Sequence, residues 1–313
     1  MTNYSQVEGS SVISLAMCAN ESFGMFACLA AWSVRNHVDD SCRVELYFVD
    51  NGLHAVTKRR MGRVFRRNKI DVIWLEVNKD RLSKIQFPPD SWLDDSSLLR
   101  LLLPDLLPAH VERIIYLDGD MLVRADLRPL QNLNLKGNPI AACRDTKYPT
   151  IGDSRSAQTI MSFGASSDFW YFNAGMYVAD VAEWRRLDIA SKTIKILEQK
   201  SPQLSHSDQD ALNIVFANSW LTLEPKWNVV TSAYSNYAQD GQNGGVAIIH
   251  FTGPKPGQIG CQHPLEGLYL RELRRSGYFS PGRFWIQTLT WKFSQMIHEQ
   301  RLSIGRMKRR ILQ

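Results

Sequence analysis

Short apolar stretches alternate along the chain with segments whose apolar residues recur at helical spacing. This alternation of strands and helices is typical of an α/β protein with a largely parallel sheet. The pattern predicts strands at residues 12–16, 44–49, 71–75 and 113–117, and helices at residues 24–37, 55–67 and 98–107. The first half of the chain is therefore predicted to consist of consecutive strand–helix–strand units.

The second half of the chain is less regular. Strand-like segments follow at residues 139–143, 172–178 and 246–249, and a helical pattern covers residues 208–216. Because strands and helices no longer alternate strictly, a purely doubly wound sheet is not expected there. The pattern predicts one α/β domain over residues 10–265, followed by a basic, helical C-terminal appendage at residues 266–313.

The chain has 313 residues, of which 44% are hydrophobic and 22% are charged. This composition belongs to a globular protein and excludes a disordered tail protein, a collagen-like repeat and a coiled coil. The net charge of +6 is unevenly placed, because residues 271–313 carry +8 and the rest of the chain carries −2. A nucleic-acid-binding domain more often spreads its charge over a folded face, so nucleic acid is not an expected partner.

The five cysteines are widely spaced and form no Cys-x-x-Cys pair. They predict neither a disulfide framework nor a zinc ribbon, and they favour a reducing compartment. No lysine or arginine precedes Arg35, and the longest near-apolar run, residues 23–32, is too short to span a bilayer. We therefore expect a cytoplasmic protein that is soluble or attached only at a membrane surface.

Two carboxylates follow directly on the fourth predicted strand. Asp118 and Asp120 are separated only by Gly119, so both can converge on one cation at the strand end, where open α/β sheets bind ligands. Carboxylate oxygens suit Mg²⁺ or Mn²⁺, ions that commonly bridge a protein to a diphosphate. The alternative is a surface Asp-Gly turn. The apolar strand that leads into the two acids favours the metal site.

A second polar cluster follows the last predicted strand and begins at His250. The neutral imidazole of His250 can be a third metal ligand. Gly253 lets a phosphate approach the backbone, and Lys255 can neutralise diphosphate charge. The alternative is a capped core histidine followed by an exposed loop. Both interpretations stay open on this cluster alone.

Further polar residues lie in apolar or helical contexts. Asn173 interrupts an apolar strand, where an amide without a partner would be costly. Asp208 and Gln209 begin a predicted helix, and capping by Ser207 with an acidic first turn explains Asp208 but not Gln209. Arg100 lies in a very apolar segment and needs an anionic partner, either a protein carboxylate or a phosphate.

Six stretches together resemble glycosyltransferase family 8, the retaining enzymes that include bacterial lipopolysaccharide galactosyl- and glucosyltransferases and glycogenin. The stretches are Ala30–Val34, Leu99–Pro104, Tyr116–Asp120, Phe172–Gly175, Asp208–Asp210 and His250–Pro256. Each is short, but all six occur in family order within residues 12–256. The resemblance implies the GT-A nucleotide-sugar-binding fold, a mixed and mostly parallel sheet flanked by helices, with a UDP-sugar donor and Mn²⁺ or Mg²⁺ as cofactor.

The resemblance also implies roles for individual residues. The expected metal ligands are Asp118, Asp120 and His250. The expected phosphate contacts are Gly253 and Lys255. The residues expected around the donor sugar are Arg100, Asn173, Asp208 and Gln209.

Two positions depart from the family pattern. Asn20 stands where the family usually has an acid that contacts the uracil, and the neighbouring Glu21 is the alternative contact. Gly257 stands where an aromatic residue usually follows the Lys-Pro pair, so the residues on the acceptor side of the pocket are not assigned.

The expected activity is transfer of a hexose, glucose or galactose, from a UDP-sugar to a saccharide acceptor of lipopolysaccharide or another surface glycan, with retention. Gln209 and Asp208 are the candidate catalytic residues. An amide oxygen is a poor nucleophile, so a same-face displacement through an oxocarbenium-like state is favoured, and double displacement through Asp208 is the alternative. Two other classes stay open: a sugar-phosphate nucleotidyltransferase and a non-catalytic nucleotide-sugar-binding protein.

The segment 283–313 predicts an amphipathic, basic helix. Its apolar residues recur on one helical face at Trp285, Leu289, Phe293 and Met296. Its cations are Arg283, Lys292, Arg301, Arg306, Lys308, Arg309 and Arg310. The aromatic rings of Trp285, Trp291 and Phe293, together with the cations, favour peripheral contact with an anionic membrane, here the inner face of the plasma membrane. The alternative is that the same stripe packs on the catalytic domain.

Overall fold

The computed structural model describes residues 12–86, 95–235, 245–261, 263–292 and 294. Its strands are β1 (Val12–Ala19), β2 (Arg43–Asp50), β3 (Ile70–Leu75), β4 (Arg113–Leu117), β5 (Met121–Val123), β6 (Ile140–Arg144), β7 (Phe172–Asp180), β8 (Leu221–Thr222), β9 (Val229–Val230) and β10 (Ile248–His250). Its helices are α1 (Gly24–Arg35), α2 (Ala55–Arg67), α3 (Asp95–Leu98), α4 (Leu103–Leu106), α5 (Arg128–Gln131), α6 (Ala157–Met161), α7 (Val181–Arg186), α8 (Ile189–Lys200), α9 (Ser207–Val215) and α10 (Glu266–Ser276). Residues 281–292 form a further helix, called the C-terminal helix below.

Seven strands form the main sheet in the order β3-β2-β1-β4-β7-β6-β8. β1 pairs in parallel with β2 and β4, and β2 pairs in parallel with β3. β7 runs antiparallel to its neighbours β4 and β6, while β8 is parallel to β6. The predicted mixed and mostly parallel sheet is confirmed. Because the chain winds outward from β1 to β3 and then returns to β4 on the other side of β1, a ligand-binding switch point lies between β1 and β4.

Helices cover both faces of the main sheet, because its central strands are apolar on both sides. In β1, Ile13, Leu15 and Met17 belong to one core, whereas Ala16 and Cys18 belong to the other. The first core lies under α1, α2 and α10, and the second lies under α7, α8 and α9. The alternation of side chains along each strand thus builds two layers of helices on one sheet.

A second sheet has three strands in the order β5-β10-β9. β10 is antiparallel to β5 and parallel to β9. β4 belongs to the main sheet and β5 to the second sheet, so the chain passes from one sheet to the other at residues 118–120. The predicted pair of acids therefore lies at the junction of the two sheets.

The segment predicted as a helix at residues 98–107 is helical but broken. A 3-10 turn, Leu99–Leu102, separates α3 from α4. Pro104 has no N–H to donate, and the carbonyl of Arg100 accepts instead from the N–H of Leu103, which tightens the helix at this point. The break orients Arg100 toward the end of the sheet.

The segment predicted as a separate tail begins with α10. Tyr269 and Leu273 of α10 are fully buried in the first core, and Phe284 of the C-terminal helix is nearly so. Trp285 and Leu289 of that helix are exposed. The other residues of the predicted stripe and its cationic cluster lie outside the described residues: Phe293, Met296, Arg301, Arg306, Lys308, Arg309 and Arg310. The domain division at residue 265 stays a prediction. Among the helices that the structure describes, none combines the length and the apolar character needed to cross a membrane.

Arg185 in α7 holds the segment that leads into β4. Its guanidinium donates to the carbonyl oxygens of Pro104 and Leu107, each at 2.8 Å, and of Pro108 at 3.1 Å. Pro104 lies in the last turn of α4, and Leu107 and Pro108 follow the helix, so no N–H of α4 can satisfy these carbonyls. Since this segment continues into β4, Arg185 helps to set the position of Asp118 beyond the strand.

We expect Arg185→Ala to lower the free energy of unfolding by about 2–3 kcal/mol, because several carbonyls lose a charged donor at once. Arg186→Ala is the matched control, since Arg186 is exposed and pairs with Glu183 on the surface. Arg186→Ala should lower the free energy of unfolding by at most about 0.5 kcal/mol. Urea unfolding measures both values, and equal stability of the two variants would contradict the role given to Arg185.

Candidate active site

The predicted site residues meet at the edge of the main sheet formed by the carboxyl ends of its parallel strands. β7 runs in the opposite direction, so its first residues lie at this same edge. The N–H of Asp118 donates to the carbonyl of Gly175 at 2.8 Å, which joins the end of β4 to the start of β7. Antiparallel pairing therefore brings Asn173 to the site although it opens a strand instead of following one.

The two acids and His250 converge where the sheets join. His250 ends β10 and pairs with Met121, the residue that follows Asp120. One possible ligand atom from each of Asp118, Asp120 and His250 lies within 4.8 Å of the others. Two carboxylate oxygens and an imidazole nitrogen suit a divalent cation such as Mg²⁺ or Mn²⁺. The donor set thus fits the cofactor that the sequence predicts.

Gly175 leaves the space for this convergence. A Cβ atom at this position would lie 2.5 Å from Cε1 of His250 and 3.0 Å from Oδ2 of Asp118. Both distances are shorter than van der Waals contact, so a side chain here would push the two residues apart. No local sequence signal predicts this role of Gly175, because the close approach involves residues far away in the chain.

The side chains of His250 and Lys255 both lie against the carboxylate of Asp120. Its Oδ1 lies 3.3 Å from Nε2 of His250, and its Oδ2 accepts a hydrogen bond from Nζ of Lys255. The same Nζ donates to the carbonyl of Phe251 at 2.9 Å. Burial opposes ionisation, but His250 and Lys255 outweigh it and hold the pKa of Asp120 well below its usual range.

Arg100 joins the other acid to α9. Its Nη2 lies 2.8 Å from Oδ1 of Asp118, and its Nε lies 3.0 Å from Oδ2 of Asp208. Its Nη1 donates to the carbonyl of Ala174 at 2.7 Å. Arg100 is only 7% exposed, so its anionic partners are two protein carboxylates in a buried setting.

The buried setting shifts the ionisation of these groups. Burial raises the pKa of Asp208 to about 6, although Arg100 acts in the opposite direction. Burial also raises the pKa of Asp118, again against the effect of Arg100. Burial disfavours a charged guanidinium too, yet Asp118 and the other neighbouring groups raise the pKa of Arg100 well above its usual range. Arg100 is therefore the fixed positive charge of the cluster.

A chain of amide side chains supports His250. Nδ1 of His250 lies 2.9 Å from Oδ1 of Asn228, and Nδ2 of Asn228 donates to Oδ1 of Asn173 at 2.8 Å. Nδ2 of Asn173 donates to Oδ2 of Asp145 at 3.0 Å. Because Oδ1 of Asn228 can only accept, Nδ1 of His250 carries a proton, so Nε2, which lies 3.3 Å from Oδ1 of Asp120, is the ring nitrogen available to a metal ion. This is the tautomer that a metal ligand requires.

Gln209 lies against the start of β7. Its Oε1 accepts from the N–H of Ala174 at 3.0 Å. Its Nε2 donates to the hydroxyl of Tyr171 at 3.1 Å and to Oδ2 of Asp145 at 3.3 Å. The hydroxyl of Tyr171 in turn donates to Asp210 at 2.6 Å. These partners fix the orientation of the Gln209 amide.

Asn20 and Glu21 follow β1, beside the switch point. Oδ1 of Asn20 accepts from the N–H of Phe23 at 3.1 Å, in the turn before α1. The carboxylate of Glu21 accepts from the N–H of His54 at 2.8 Å and from the hydroxyl of Thr57 at 2.7 Å. Glu21 therefore binds the N-terminal end of α2.

The loop after β10 carries the two predicted phosphate contacts. Gly253 has φ near +80°, a conformation that favours glycine, and a Cβ atom there would have no neighbour within 4 Å in the described part of the chain. Lys255 reaches back from this loop to Asp120. The loop is thus open at Gly253 and attached to the acid pair at Lys255.

Asp145 and Asn228 also belong to the site, although the sequence pattern does not predict them. Asp145 follows β6 at the same sheet edge, and its position after an apolar strand is the same signal that marks Asp118. Asn228 lies just before the two-residue strand β9, which the apolar pattern does not reveal. Only the pairing of β9 with β10 brings Asn228 beside His250.

Comparison with known proteins identifies relatives over most of the chain. Residues 14–256 match the model of Glycosyl transferase family 8. General stress protein A of Bacillus subtilis (strain 168) is 25% identical over 279 residues, which cover 82% of this chain and 92% of that protein. Lipopolysaccharide 1,2-glucosyltransferase of Escherichia coli (strain K12) is 23% identical over 226 residues, which cover 70% of this chain and 65% of that protein. Glycosyltransferase GlyF of Streptococcus pneumoniae serotype 4 is longer, and the match covers 42% of it.

A solved structure with the same fold is that of the galactosyltransferase LgtC in complex with donor and acceptor sugar analogs. Its TM-score is 0.75 at 23% identity, with 88% of this chain and 100% of that chain covered. This likeness confirms the predicted GT-A fold, and the family model extends over most of the chain. The chain belongs to glycosyl transferase family 8.

Proposed function

We propose that this glycosyltransferase transfers glucose or galactose from a UDP-sugar to a saccharide acceptor, with retention of the anomeric configuration. Family membership supports sugar transfer and argues against a nucleotidyltransferase and a non-catalytic binding protein. The observation that carries the proposal is the cluster of Asp118, Asp120, His250 and Lys255 at one sheet edge. Such a cluster can offer a diphosphate both a divalent cation and an ammonium group.

The diphosphate would bind at this cluster. Asp118, Asp120 and His250 would hold Mn²⁺ or Mg²⁺, which supplies Lewis-acid stabilisation to the departing diphosphate when it is bound. Lys255 already lies against Asp120 and would add a second positive charge at the same place. Gly253 would let a phosphate approach the backbone, since no atom of the described residues would lie within 4 Å of a Cβ atom at this position.

In this proposal the side chain of Asn20 contacts the uracil base of the UDP-sugar. The carboxylate of Glu21 is engaged at the start of α2, through His54 and Thr57, and is therefore less suited to read a base. An asparagine side chain offers both a donor and an acceptor, which a pyrimidine edge can pair with.

The donor sugar would lie against the polar groups at the start of β7. Asn173 and Gln209 both donate to Asp145, and Arg100 holds the carbonyl of Ala174. These groups are fixed by their mutual hydrogen bonds before any sugar arrives. A preorganised polar surface of this kind can exchange hydrogen bonds with sugar hydroxyls at little cost in entropy.

Transfer breaks the bond between the anomeric carbon and the β-phosphate oxygen, and it forms a bond from the same face to an acceptor hydroxyl oxygen. The acceptor proton passes to the departing phosphate oxygen, so no separate strong base is required. Lys255 stabilises the negative charge that develops on UDP. Gln209 orients the sugar, and its carbonyl oxygen has a second lone pair that can face the positive charge on the ring.

The position of Asp208 argues against double displacement. Its carboxylate lies against Arg100 and is 5% exposed. A nucleophile must reach the anomeric carbon with a free lone pair, and a carboxylate enclosed behind a guanidinium is poorly placed to do so. In our proposal Asp208 acts through Arg100, which it keeps oriented toward Asp118.

We further propose an acceptor in lipopolysaccharide or another surface glycan, and a cytoplasmic enzyme at the inner face of the plasma membrane. One relative is named for lipopolysaccharide glucosyl transfer. The C-terminal helix exposes 56% of Trp285, 66% of Ile286 and 63% of Leu289. Exposed apolar side chains within the basic segment 283–313 suit an anionic membrane surface.

The first functional prediction concerns the metal. Among a panel of UDP-sugars, we expect UDP-glucose or UDP-galactose to release UDP with Mn²⁺ present and to stop doing so when the metal is chelated. Asp120→Asn should lower kcat/KM by at least about 100-fold, because it weakens a ligand for the cation and replaces the anionic partner of Lys255 with a neutral amide.

The control for this variant is Asp71→Asn, at an exposed acid on the outer strand β3 that pairs with Arg43. It should change kcat/KM by less than about twofold, since exposed ion pairs contribute little. Thermal unfolding verifies that both variants fold. Turnover that persists without metal, or near-normal turnover by Asp120→Asn, would show that the metal assignment is wrong.

The second functional prediction concerns stereochemistry and Gln209. NMR of the product should show an α-linkage when the donor is an α-linked UDP-sugar. Gln209→Ala should lower kcat about 10- to 100-fold and weaken UDP binding less than about threefold, because the residue faces the sugar. Gln199→Ala, on the exposed side of α8, is the control and should leave both values unchanged. A β-linked product, or a loss confined to UDP binding, contradicts this assignment.

The third functional prediction concerns the membrane. Substituting Arg306, Lys308, Arg309 and Arg310 by glutamine should reduce co-sedimentation with anionic vesicles at low salt, since each cation near the surface adds about 1 kcal/mol. The matched control removes the same charge from exposed positions of α2: Arg59, Arg63, Arg66 and Arg67. If both sets reduce sedimentation equally, or the native chain does not sediment, the C-terminal segment is not the anchor.

A further inference from the structure

The phosphate loop, defined here as residues 253–258, is held by an element far away in the sequence. Gly257 in this loop has φ near +83° and donates its N–H to Oε1 of Glu266, at the start of α10, at 2.8 Å. A Cβ atom at Gly257 would lie only 2.7 Å from Cδ2 and Cε3 of Trp291. The indole ring of the C-terminal helix therefore lies directly on the Cα atom of Gly257.

This contact is transmitted to Lys255 through a closed turn. The N–H of Lys255 donates to Oε1 of Gln258 at 2.8 Å. The N–H of Gln258 donates to the carbonyl of Lys255, also at 2.8 Å. Gly257 lies inside this turn, so a shift of Gly257 moves the backbone that carries the lysine. The Nζ of Lys255 is in turn attached to Asp120.

The C-terminal helix is well placed to hold the loop. Phe284 anchors its start in the first core, whereas Trp285 and Leu289 are largely exposed. Trp291 packs against the same core with part of its ring. Together with Pro256 and Glu21 it lines a cavity of about 280 Å³ between the phosphate loop and the loop after β1.

We propose that Trp291 is a positioning residue for donor binding. Its ring holds the phosphate loop in the position from which Nζ of Lys255 can contact the diphosphate of the donor. This inference rests on the proposed function for the role of Lys255, and it adds a residue of the C-terminal helix to the donor site. Trp291 acts through Gly257 and Lys255 and does not itself contact the donor. It should therefore affect KM for the UDP-sugar more than kcat.

The test compares Trp291→Ala with Trp285→Ala, a tryptophan on the same helix that is 56% exposed. We expect Trp291→Ala to raise KM for the UDP-sugar and the Kd for UDP about five- to tenfold, with kcat changed by less than about twofold. Trp291→Phe should restore most of the affinity, because a smaller ring still covers Gly257. Trp285→Ala should match the native chain in all three values.

A double variant separates positioning from general stability. When Lys255→Ala is already present, Trp291→Ala should raise KM no further, because the group that it positions has been removed. Equal increases in the native and Lys255→Ala backgrounds would overturn the proposal, as would an unchanged KM in Trp291→Ala. A lower melting temperature without a change in KM would also overturn it, since that is the result of a purely structural role.

A measurement without donor keeps this proposal distinct from the proposed function. Hydrogen exchange of the full chain should show the Gly257 amide exchanging faster in Trp291→Ala than in Trp285→Ala. Unchanged exchange overturns the anchoring of the loop, whatever the enzyme transfers. If the native chain neither binds UDP nor turns over any UDP-sugar, the proposed function fails, whereas the exchange result still decides whether Trp291 anchors the loop.

Discussion

The buried guanidinium of Arg100 holds together two carboxylates that could not be buried without it. Asp118 and Asp208 are far apart in the sequence, one after β4 and the other at the start of α9, and Arg100 lies between them. Removing one member of such a group leaves an uncompensated charge in a low-dielectric environment, which costs far more than the pairing contributes. The same guanidinium binds the carbonyl of Ala174, so this ionic contact also sets the start of β7.

The direction of β7 explains why the site is so dense in polar groups. The parallel strands β1, β4 and β6 place Asn20, Asp118 and Asp145 after their carboxyl ends. β7 runs the other way and adds Asn173 at its beginning. The second sheet contributes His250 from β10, whose partner strand β5 starts directly after Asp120. Strands of both directions, from two sheets, therefore have one terminus at the same place in the fold. Gly175 leaves the space that His250 and Asp118 need to lie close together there.

The polar groups of the site also fix one another. Asn228 sets the tautomer of His250, and Asn173 and Gln209 share the carboxylate of Asp145. Since hydrogen bonds in a buried network are costly to leave unmade, each amide has one favourable orientation. A site that is ordered in this way before substrate binds does not have to reorganise during sugar transfer. Preorganised polar groups stabilise the charges of the transition state more than mobile groups do, because no free energy is spent on orienting them. The C-terminal helix extends this order to the phosphate loop.

The amino-acid sequence by itself determined the main elements of the first half, because apolar periodicity and turn residues are local signals. It also marked Asp118, Asp120, His250 and Lys255, since strand ends of an α/β protein are where polar ligands are expected. The tertiary structure alone decided which strand runs antiparallel, that the helix at Arg100 is broken, and that Asp145 and Asn228 join the site. It also decided what covers Gly257, where the sequence lacks the aromatic residue that the family usually has. These features depend on contacts between segments far apart in the chain, and no local pattern of residues encodes such contacts.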